Sequence, residues 1–594
     1  MRNRLSVMYV FAFLASVLEL LYELLIAQTL TVLSGNSVAK YSLTIGLYLA
    51  ASGFGAWLGE KKFSGKAERS IIVSEWCASV LGGLMVPALY FFYIVQNDFS
   101  VLRLPQHSQA LAVFIGVSVL VIATLGILKG ISFALLIVLG RRQRLESVNA
   151  ILGADYFGAL VGTLLFAFSL QPYFGLFQIA FAAAAANAAL LAVFGWWLFG
   201  RSSATLASVP LIIILAIFWL RSDVLEQHLL KKFWYRPYAI TANTLFSSTK
   251  NLPSVELYRS PYQEITLVQT TPNQAPEQSV LSEYRRDLYI LRAYSDKLDK
   301  DFPFDYLLSL NGYEQLHTGS EELNAEFFVH VPFIANGIPR RVLIIGGGDG
   351  TSTREVLKYP QVEQVVQVEI DPVMAELALE HPLLRFINAD AFHDPRLQLI
   401  IDDGFSYLRD HHERYDAILI DIQAPYDYSL SKMFSKEFFG LVRSRLTQQG
   451  FTAILSTGIT DRRHWEIFYN TLRSAGFAGI VPYFTALEDN NPDGQQRIAA
   501  LNNQVLTDEN RSAIQAQLRE FLLNTFTVGH LYATVQEQRS TNPFADDTIP
   551  LHVLNAQRYA LSFDYPYVFF NPTVATDASK VNSILRPTLY DLLK

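Results

Sequence analysis

The chain has 594 residues, 51% of them apolar and only 17% charged, with a formal net charge of -7. The acidic balance argues against a nucleic-acid partner, and the apolar share and positive mean hydropathy (+0.23) are unusual for a soluble enzyme. With one cysteine, Cys77, no internal disulfide can form; Cys77 reads as a small core residue.

The apolar excess lies in the first 220 residues, as long stretches near 6–33, 42–58, 71–95, 110–139, 150–170, 176–199 and 204–220. At about 20 residues per crossing, seven membrane segments are predicted. The first is too long, and lacks a cleavage-site pattern, to be a removable signal peptide. The fourth is over-long and contains Gly126, Lys129 and Gly130, so a break or strong tilt is expected near Gly130. Arg2 and Arg4, Lys61, Lys62, Lys66 and Arg69, Arg141, Arg142 and Arg144, and Arg201 fall in alternate connections, whereas the others hold only Lys40 and Arg103. This places the amino terminus in the cytoplasm. Seven full spans would put everything after residue 222 outside. Either the last segment, which contains Pro210, does not span, or the soluble part lies outside. Lys231, Lys232 and Arg236 favour the cytoplasm. Glu19, Glu23, Glu75, Lys129 and Asp155 sit inside apolar segments, with Glu19 and Glu23 one helical turn apart. They mark either a small cationic ligand held between helices or, more simply, structural pairing such as Glu23 or Asp155 with Lys129.

From about residue 233 the pattern changes. Strands are predicted over 254–258 and 262–268 around a Ser-Pro turn, a polar loop over 271–282, and a strand over 307–310 before an Asn-Gly turn. A helix follows over 321–331. Arg341-Val-Leu-Ile-Ile-Gly-Gly-Gly-Asp-Gly350 then runs from an apolar strand into a glycine cluster and a helical pattern. The next strand, 364–368, ends at Glu369, roughly 20 residues beyond the glycines, the spacing used to hold a ribose diol. A helix over 371–380 with Pro in its first turn, a strand over 397–401 before Asp402-Asp-Gly404, a helix from Phe405 and a strand over 415–420 ending at Asp421 come next. Helices over 436–446 and 465–475 flank a strand over 451–455. Strand–helix alternation of this kind predicts a doubly wound parallel sheet, with ligands outside the carboxyl ends of its strands. Beyond 500, an amphipathic helix over 509–523 and ordered loops over 542–550 and 564–567 are expected.

Asp349, Glu369, Asp403 and Asp421 all fall at those strand ends. Four acids around one pocket would repel a phosphate, so an adenosyl-sulfonium cofactor suits the site better than a dinucleotide. Glu369 would accept from the ribose hydroxyls, Asp403 from the adenine amino group, and Asp349 would hold an ammonium tail. Asp421 would attract a cationic amine and take its proton. Taken alone, Asp421 could equally cap a helix and Asp403 be a turn residue.

The chain resembles the spermidine synthases (polyamine aminopropyltransferases). The resemblance runs from about Tyr258 to Leu446. It is carried by Gly346-Gly-Gly-Asp-Gly350 with Arg354-Glu-Val-Leu357, Val368-Glu-Ile-Asp371, Asp394-Pro-Arg396 with Asp403-Gly404, and Tyr415-Asp416. Ser260-Pro-Tyr-Gln263 and Asn311-Gly-Tyr-Glu-Gln315 add weaker matches. Leu21-Tyr-Glu23 and Asp155-Tyr-Phe-Gly158 are similar to the multi-helix membrane domain fused to some bacterial members. The resemblance implies transfer of an aminopropyl group from decarboxylated S-adenosylmethionine to putrescine or another amine, releasing methylthioadenosine, with no metal. It assigns Gln263, Gly346, Gly348, Asp349, Glu369, Asp403 and Gly404 to the nucleoside donor and Asp421 to proton acceptance. Asp349, Gln315 and Asp427 are candidates for the acceptor amine. The family's second acid after Asp421 is Ala424 here, its Tyr-His-Glu is Asn324-Ala-Glu326, and a Gly-Pro pair is Asp427-Tyr428.

The expected architecture is therefore an α-helical membrane bundle (1–222), a small β-rich unit (223–335), a Rossmann-like, methyltransferase-type α/β domain (336–500) and a carboxyl-terminal extension (501–594). The expected partners are a small amine, the lipid bilayer and a second copy of the chain, with no nucleic acid. The expected location is a bacterial inner membrane, multi-pass, with the catalytic domain cytoplasmic. Two alternatives are an S-adenosylmethionine-dependent methyltransferase and a polyamine or nucleoside transporter or sensor with a non-catalytic soluble domain.

Overall fold

A computed structural model describes residues 2–34, 37–96, 107–143, 147–199, 206–234, 254–270, 305–318, 321–423, 428–455, 462–486, 526–536, 544, 549–551, 553–563 and 577–589. The chain divides into two units, Met1–Pro261 and Tyr262–Lys594. The expected loop over 271–282, the helix over 509–523 and the loop over 564–567 lie outside the described residues, as does most of 542–550.

The first unit is helical. Helices α1 (Arg2–Ser34), α2 (Ser37–Leu58), α3 (Ala67–Gln96), α4 (His107–Gln143), α5 (Ser147–Leu165) and α6 (Leu176–Phe199) follow the apolar stretches of the sequence. By length and composition alone, five stretches among the described residues could cross a membrane: Ser6–Leu33, Lys40–Val95, Leu111–Arg142, Val148–Leu170 and Leu176–Trp197. The second of these is folded back on itself. Gly55 lies against the Ile127 carbonyl and Ser74 Oγ donates to the Leu128 carbonyl (2.5 Å). In a straight helix residues 55 and 74 would stand about 28 Å apart at 1.5 Å per residue, so they could not meet neighbouring carbonyls of α4. The reversal occurs in the π and 3-10 turns of residues 59–66, which carry Lys61, Lys62 and Lys66. Helices α2 and α3 thus count as separate candidate crossings. The last apolar segment becomes α7 (Ser208–Leu220), bent by 59° from α8 (Ser222–Trp234).

Helix α4 runs through Gly130 unbroken, contrary to the expected break. The glycine serves packing instead. A Cβ at Gly130 would strike the Ser52 carbonyl, and one at Gly126 would lie 2.8 Å from the Tyr48 carbonyl, the close backbone approach that small residues allow between membrane helices. Lys129 pairs with neither Glu23 nor Asp155. Its Nζ donates to Glu75 Oε2 (2.7 Å) and Asn187 Oδ1 (2.9 Å). Because residues 75 and 129 sit directly across the α3–α4 contact, Glu75 wins the pairing. Strand β1 (Val255–Arg259) closes this unit.

The second unit opens with a small antiparallel sheet of β2 (Glu264–Thr270), β3 (Asp305–Leu310) and β4 (Tyr313–His317). Asn311 (φ 51°) and Gly312 (φ 81°) are both left-handed, the geometry of a two-residue hairpin turn. Helix α9 (Glu321–Asn336) leads into a seven-stranded sheet of β5 (Arg341–Gly346), β6 (Gln364–Glu369), β7 (Leu397–Ile401), β8 (Tyr415–Asp421), β9 (Leu446–Leu455), β10 (Gly479–Ala486) and β11 (Phe526–Thr534), in the order β10-β11-β9-β8-β5-β6-β7. Interleaved are α10 (Thr351–Leu357), α11 (Pro372–Glu380), α12 (Pro382–Ile387), α13 (Gly404–Asp410), α14 (Lys436–Arg445) and α15 (Arg462–Ser474). Five strands, β9 to β7 in that order, are parallel. The sheet is not parallel throughout, because β11 enters antiparallel between β9 and β10. Part of the stretch expected as a carboxyl-terminal extension thus completes the sheet.

The chain moves outward from β5 to β7, then crosses back to start β8 on the other side of β5. That reversal leaves a crevice at the carboxyl ends of β5 and β8, where ligands bind in such sheets. Register sets its contents: Gly346 is level with Asp421 across the β5–β8 pair.

Candidate active site

The glycine loop after β5 has to pass between two carboxylates. Gly346, Gly347 and Gly350 all have left-handed φ (83°, 65° and 85°), which glycine adopts without strain. A Cβ on Gly347 would lie 2.9 Å from Asp421 Oδ2, and one on Gly348 would lie 2.8 Å from Glu369 Oε2. The loop is therefore glycine-rich for two reasons, its turn and its proximity to these acids. Gln367 Nε2 braces it by donating to the carbonyls of Gly346 (3.0 Å) and Gly347 (2.6 Å), and Thr353 Oγ1 donates to Gln367 Oε1 (2.6 Å).

Asp421 ends β8. Its Oδ2 accepts from Ser352 Oγ on α10 at 2.5 Å. Burial pushes its carboxyl up to about 7, and the nearby charge of Asp349 adds to the rise. Asp349 Oδ1 accepts from Thr351 N (2.8 Å) and Thr351 Oγ1 (2.6 Å), which fixes the start of α10. Glu369 ends β6 and is buried; its Oε1 accepts from Asp371 N (2.8 Å). Burial also pushes Glu369 up to about 7, with the charges of Asp371 and Asp349 adding to the rise. Gln263, just before β2, donates from Nε2 to Asp371 Oδ2 (2.8 Å), bringing it to the Glu369 end of the crevice.

Asp403 caps α13 by accepting from Ser406 N (2.9 Å), and its Oδ2 pairs with Lys432 Nζ (2.9 Å). Burial raises its carboxyl, but Lys432 and Ser406 more than offset this and hold it below the usual range. Gly404 is needed because a Cβ there would meet Ile345 Cγ2 of β5 at 2.5 Å. Gln315 stands on β4 and donates to the Glu314 carbonyl (3.0 Å); no bond to the site acids is seen among the described residues. Asp427 and Ala424 lie outside the described residues. On α9, the Asn324 side-chain oxygen is buried without a hydrogen-bond partner among the described residues. Glu326 is taken up elsewhere, accepting from the backbone N–H groups of Val553 (2.9 Å) and Leu554 (2.7 Å).

The crevice thus collects Asp349, Glu369 and Asp421 around one loop, with Gln263 and Asp403 at its edges. Such a set attracts positive charge, orders a diol and can take a proton from an amine. Sequence reasoning missed Ser352, Gln367, Thr353 and Lys432. Gln367 carried a signal, being a polar residue inside an apolar strand. The others lack one, because their roles depend on which loops meet.

A family model described as the spermine/spermidine synthase domain matches residues 321–487. The chain is 31% identical over 474 residues to the polyamine aminopropyltransferase of Mycobacterium tuberculosis, covering 78% of this chain and 80% of that one. It is 28% identical over 473 residues to the polyamine aminopropyltransferase of Oceanobacillus iheyensis, covering 76% and 78%. The crystal structure of spermidine synthase from Thermotoga maritima is 20% identical, with a TM-score of 0.38 over 54% of this chain and 88% of that one.

Proposed function

The chain belongs to the polyamine aminopropyltransferases, and from that premise we propose that its glycine-loop site moves the aminopropyl group of decarboxylated S-adenosylmethionine to an aliphatic amine, with methylthioadenosine as the second product. The observation that carries this reading is the convergence of Asp349, Glu369 and Asp421 on one loop. The donor has a sulfonium and a primary ammonium but no carboxylate. Intact S-adenosylmethionine would bring a carboxylate toward Asp349 and be repelled.

Glu369 accepts from the ribose hydroxyls, Asp403 from the adenine amino group once Lys432 moves aside, and Gln263 supports that end of the nucleoside. Gly346, Gly348 and Gly404 let the backbone close on it. Asp349 holds the donor's ammonium tail. The acceptor amine must arrive neutral at its reacting nitrogen, so Asp421 takes one proton. The nitrogen lone pair then attacks the aminopropyl carbon bonded to sulfur. The new C–N bond forms as the C–S bond breaks, and its electron pair leaves with sulfur as a neutral thioether. Alignment of the attack supplies much of the acceleration.

The acceptor half departs most from the family pattern at Ala424, Asn324 and Ala325. A missing charge-assisted hydrogen bond to a distal ammonium weakens binding by about 1.5–3 kcal/mol, one to two decades in affinity. The unpartnered Asn324 oxygen, Gln315 and Asp427 are candidates to replace that anchor. The test is to give purified full-length protein decarboxylated S-adenosylmethionine and a panel of mono-, di- and triamines, and to follow methylthioadenosine. Release is expected with at least one amine. Asp421→Asn should slow it by about 10²–10⁴-fold. No release with any amine would sink the proposal.

The soluble unit is assigned to the cytoplasmic face. Six crossings return the chain to the side of its amino terminus. The 13 residues of α7 extend only about 20 Å, short of the roughly 30 Å hydrocarbon core.

A further inference from the structure

Among the described residues, the membrane bundle contains acids that are in no ion pair. Glu75 is satisfied: it pairs with Lys129 and also accepts from Asn187 Nδ2 (3.0 Å), whose amide donates in addition to Ser79 Oγ (2.9 Å). That leaves Glu19 and Glu23 on α1, and Asp155 on α5, without a basic side chain in ion-pair contact among the described residues; Lys129, whose charge reaches Glu19, is paired with Glu75. Spacing of three and four residues puts Glu19, Tyr22 and Glu23 on one face of α1. Ser16 Oγ donates to the Asp155 carbonyl (2.8 Å), which holds α5 beside that face. Glu23 is buried, while Glu19 keeps part of its surface open.

A second feature is independent of these carboxylates. The hydroxyls of Tyr22 and Tyr48, 0% and 1% exposed, have no hydrogen-bond partner among the described residues. A buried hydroxyl left in this state is costly unless something fills the gap. The Tyr48 hydroxyl lies within electrostatic range of the Glu19, Glu23 and Glu75 carboxylates and of the Tyr22 hydroxyl. Gly82 of α3 leaves the room that Tyr22 occupies, since a Cβ there would lie 2.9 Å from its hydroxyl.

Lys129 shows which chemistry this interior accepts. Its ammonium sits against a carboxylate and an amide oxygen, 5.6 Å from the Tyr22 ring centroid, a cation–π distance. Among the described residues no three His, Cys, Asp or Glu side chains converge as a metal site would require. We propose that the bundle binds a protonated aliphatic amine between Glu19 and Glu23. The Tyr22 and Tyr48 hydroxyls accept from its ammonium, and the surrounding apolar side chains pack on its methylenes. The amine supplies the positive charge that makes ionised carboxylates tolerable at this depth. The site is built from residues of the first unit alone and does not depend on the reaction assigned to the catalytic crevice.

The test uses full-length protein in lipid nanodiscs and radiolabelled 1,4-diaminobutane at equilibrium. The double variant Glu19→Gln/Glu23→Gln should bind one diamine fewer per chain than the unaltered protein and still release methylthioadenosine at the same rate. Tyr48→Phe preserves the ring and should weaken that class of site about tenfold, the effect of one charge-assisted hydrogen bond; it decides the matter if the double variant fails to fold. Asp421→Asn should leave this class intact. Equal stoichiometry and affinity in the unaltered protein, the double variant and Tyr48→Phe would overturn the proposal. So would displacement by equimolar sodium, which would mark a site for inorganic cations. Loss of transfer with this binding retained would count against the catalytic assignment alone.

Discussion

Asp421 sits where its own ionisation is opposed. Burial and the neighbouring Asp349 push its carboxyl up to about 7, while the Ser352 hydroxyl, 2.5 Å from Oδ2, favours the charged form. The proton acceptance proposed for Asp421 requires the carboxylate, so kcat/KM with subsaturating amine should rise as pH increases through about 7 and level off above it. A bound ammonium favours the carboxylate, so the kcat profile should turn at lower pH. On that proposal Ser352 acts through Asp421 as a positioning residue. Ser352→Ala removes a hydrogen bond to the charged form and should move the kcat/KM profile upward by about one pH unit. A merely structural role for Ser352 would lower the rate and leave the profile in place. Stability runs the other way. A carboxyl raised above its unfolded value near 3.9 contributes most below that value and loses its contribution as pH rises through about 7. Asp421→Asn should therefore flatten both profiles.

Helices α9 and α10 are joined by a buried charge network that positions Ser352. Arg354 makes a forked pair with Glu321 (2.9 Å to each oxygen), reaches Glu355 (2.7 Å) and donates to the Ile387 carbonyl (2.6 Å). His330 bridges Glu355 and Tyr359, both at 2.7 Å. Burial raises Glu355, but Arg354, His330 and Lys358 together hold it well below the usual carboxylate range. Removing one partner of such a set strands the rest, so Arg354→Met should lower unfolding free energy by about 3–5 kcal/mol in chemical denaturation. Strand β11 carries the opposite problem: His530 is fully buried between Tyr483 and Phe328, and burial lowers it to about 3. A histidine whose folded value falls below its unfolded value of about 6.5 contributes fully above 6.5 and loses that contribution as pH falls toward 3. His530→Phe should make acid unfolding less steep in that window. The two elements differ in how far sequence revealed them. Strands β5 to β9 were legible because each is a short apolar run followed by a helical pattern, and the acids at their ends followed from that order. Strand β11 was hidden because Gly529-His530 interrupts its apolar run and its partner β9 lies some 75 residues earlier. Arg354 and Glu355 read as part of a family motif, yet their partners Glu321, His330 and Tyr359 depend on the packing of α9 against α10.

At the scale of the whole molecule, two units with separate cores share one chain, and the number of crossings decides where the catalytic unit works. The hairpin at residues 59–66 is the critical step, because it converts a 56-residue apolar stretch into two crossings. With it, α1 to α6 provide six candidate crossings; without it, five, and the soluble unit would face the opposite side. The basic residues agree with six: Lys61, Lys62 and Lys66 in the hairpin and Arg141 and Arg142 at the end of α4 would all face the cytoplasm with Arg2 and Arg4. On that topology the bend of 59° between α7 and α8 would turn the chain along the bilayer surface, where Lys231 and Lys232 in the last turn of α8 would suit an anionic inner leaflet. A carboxyl-terminal reporter active only in the cytoplasm should therefore light up in the full-length protein. One active only outside should stay dark. Deleting residues 206–234 should leave that result unchanged, because a segment that does not cross cannot set the side. Reversal of the reporters on deletion would show that α7 and α8 together form a seventh span.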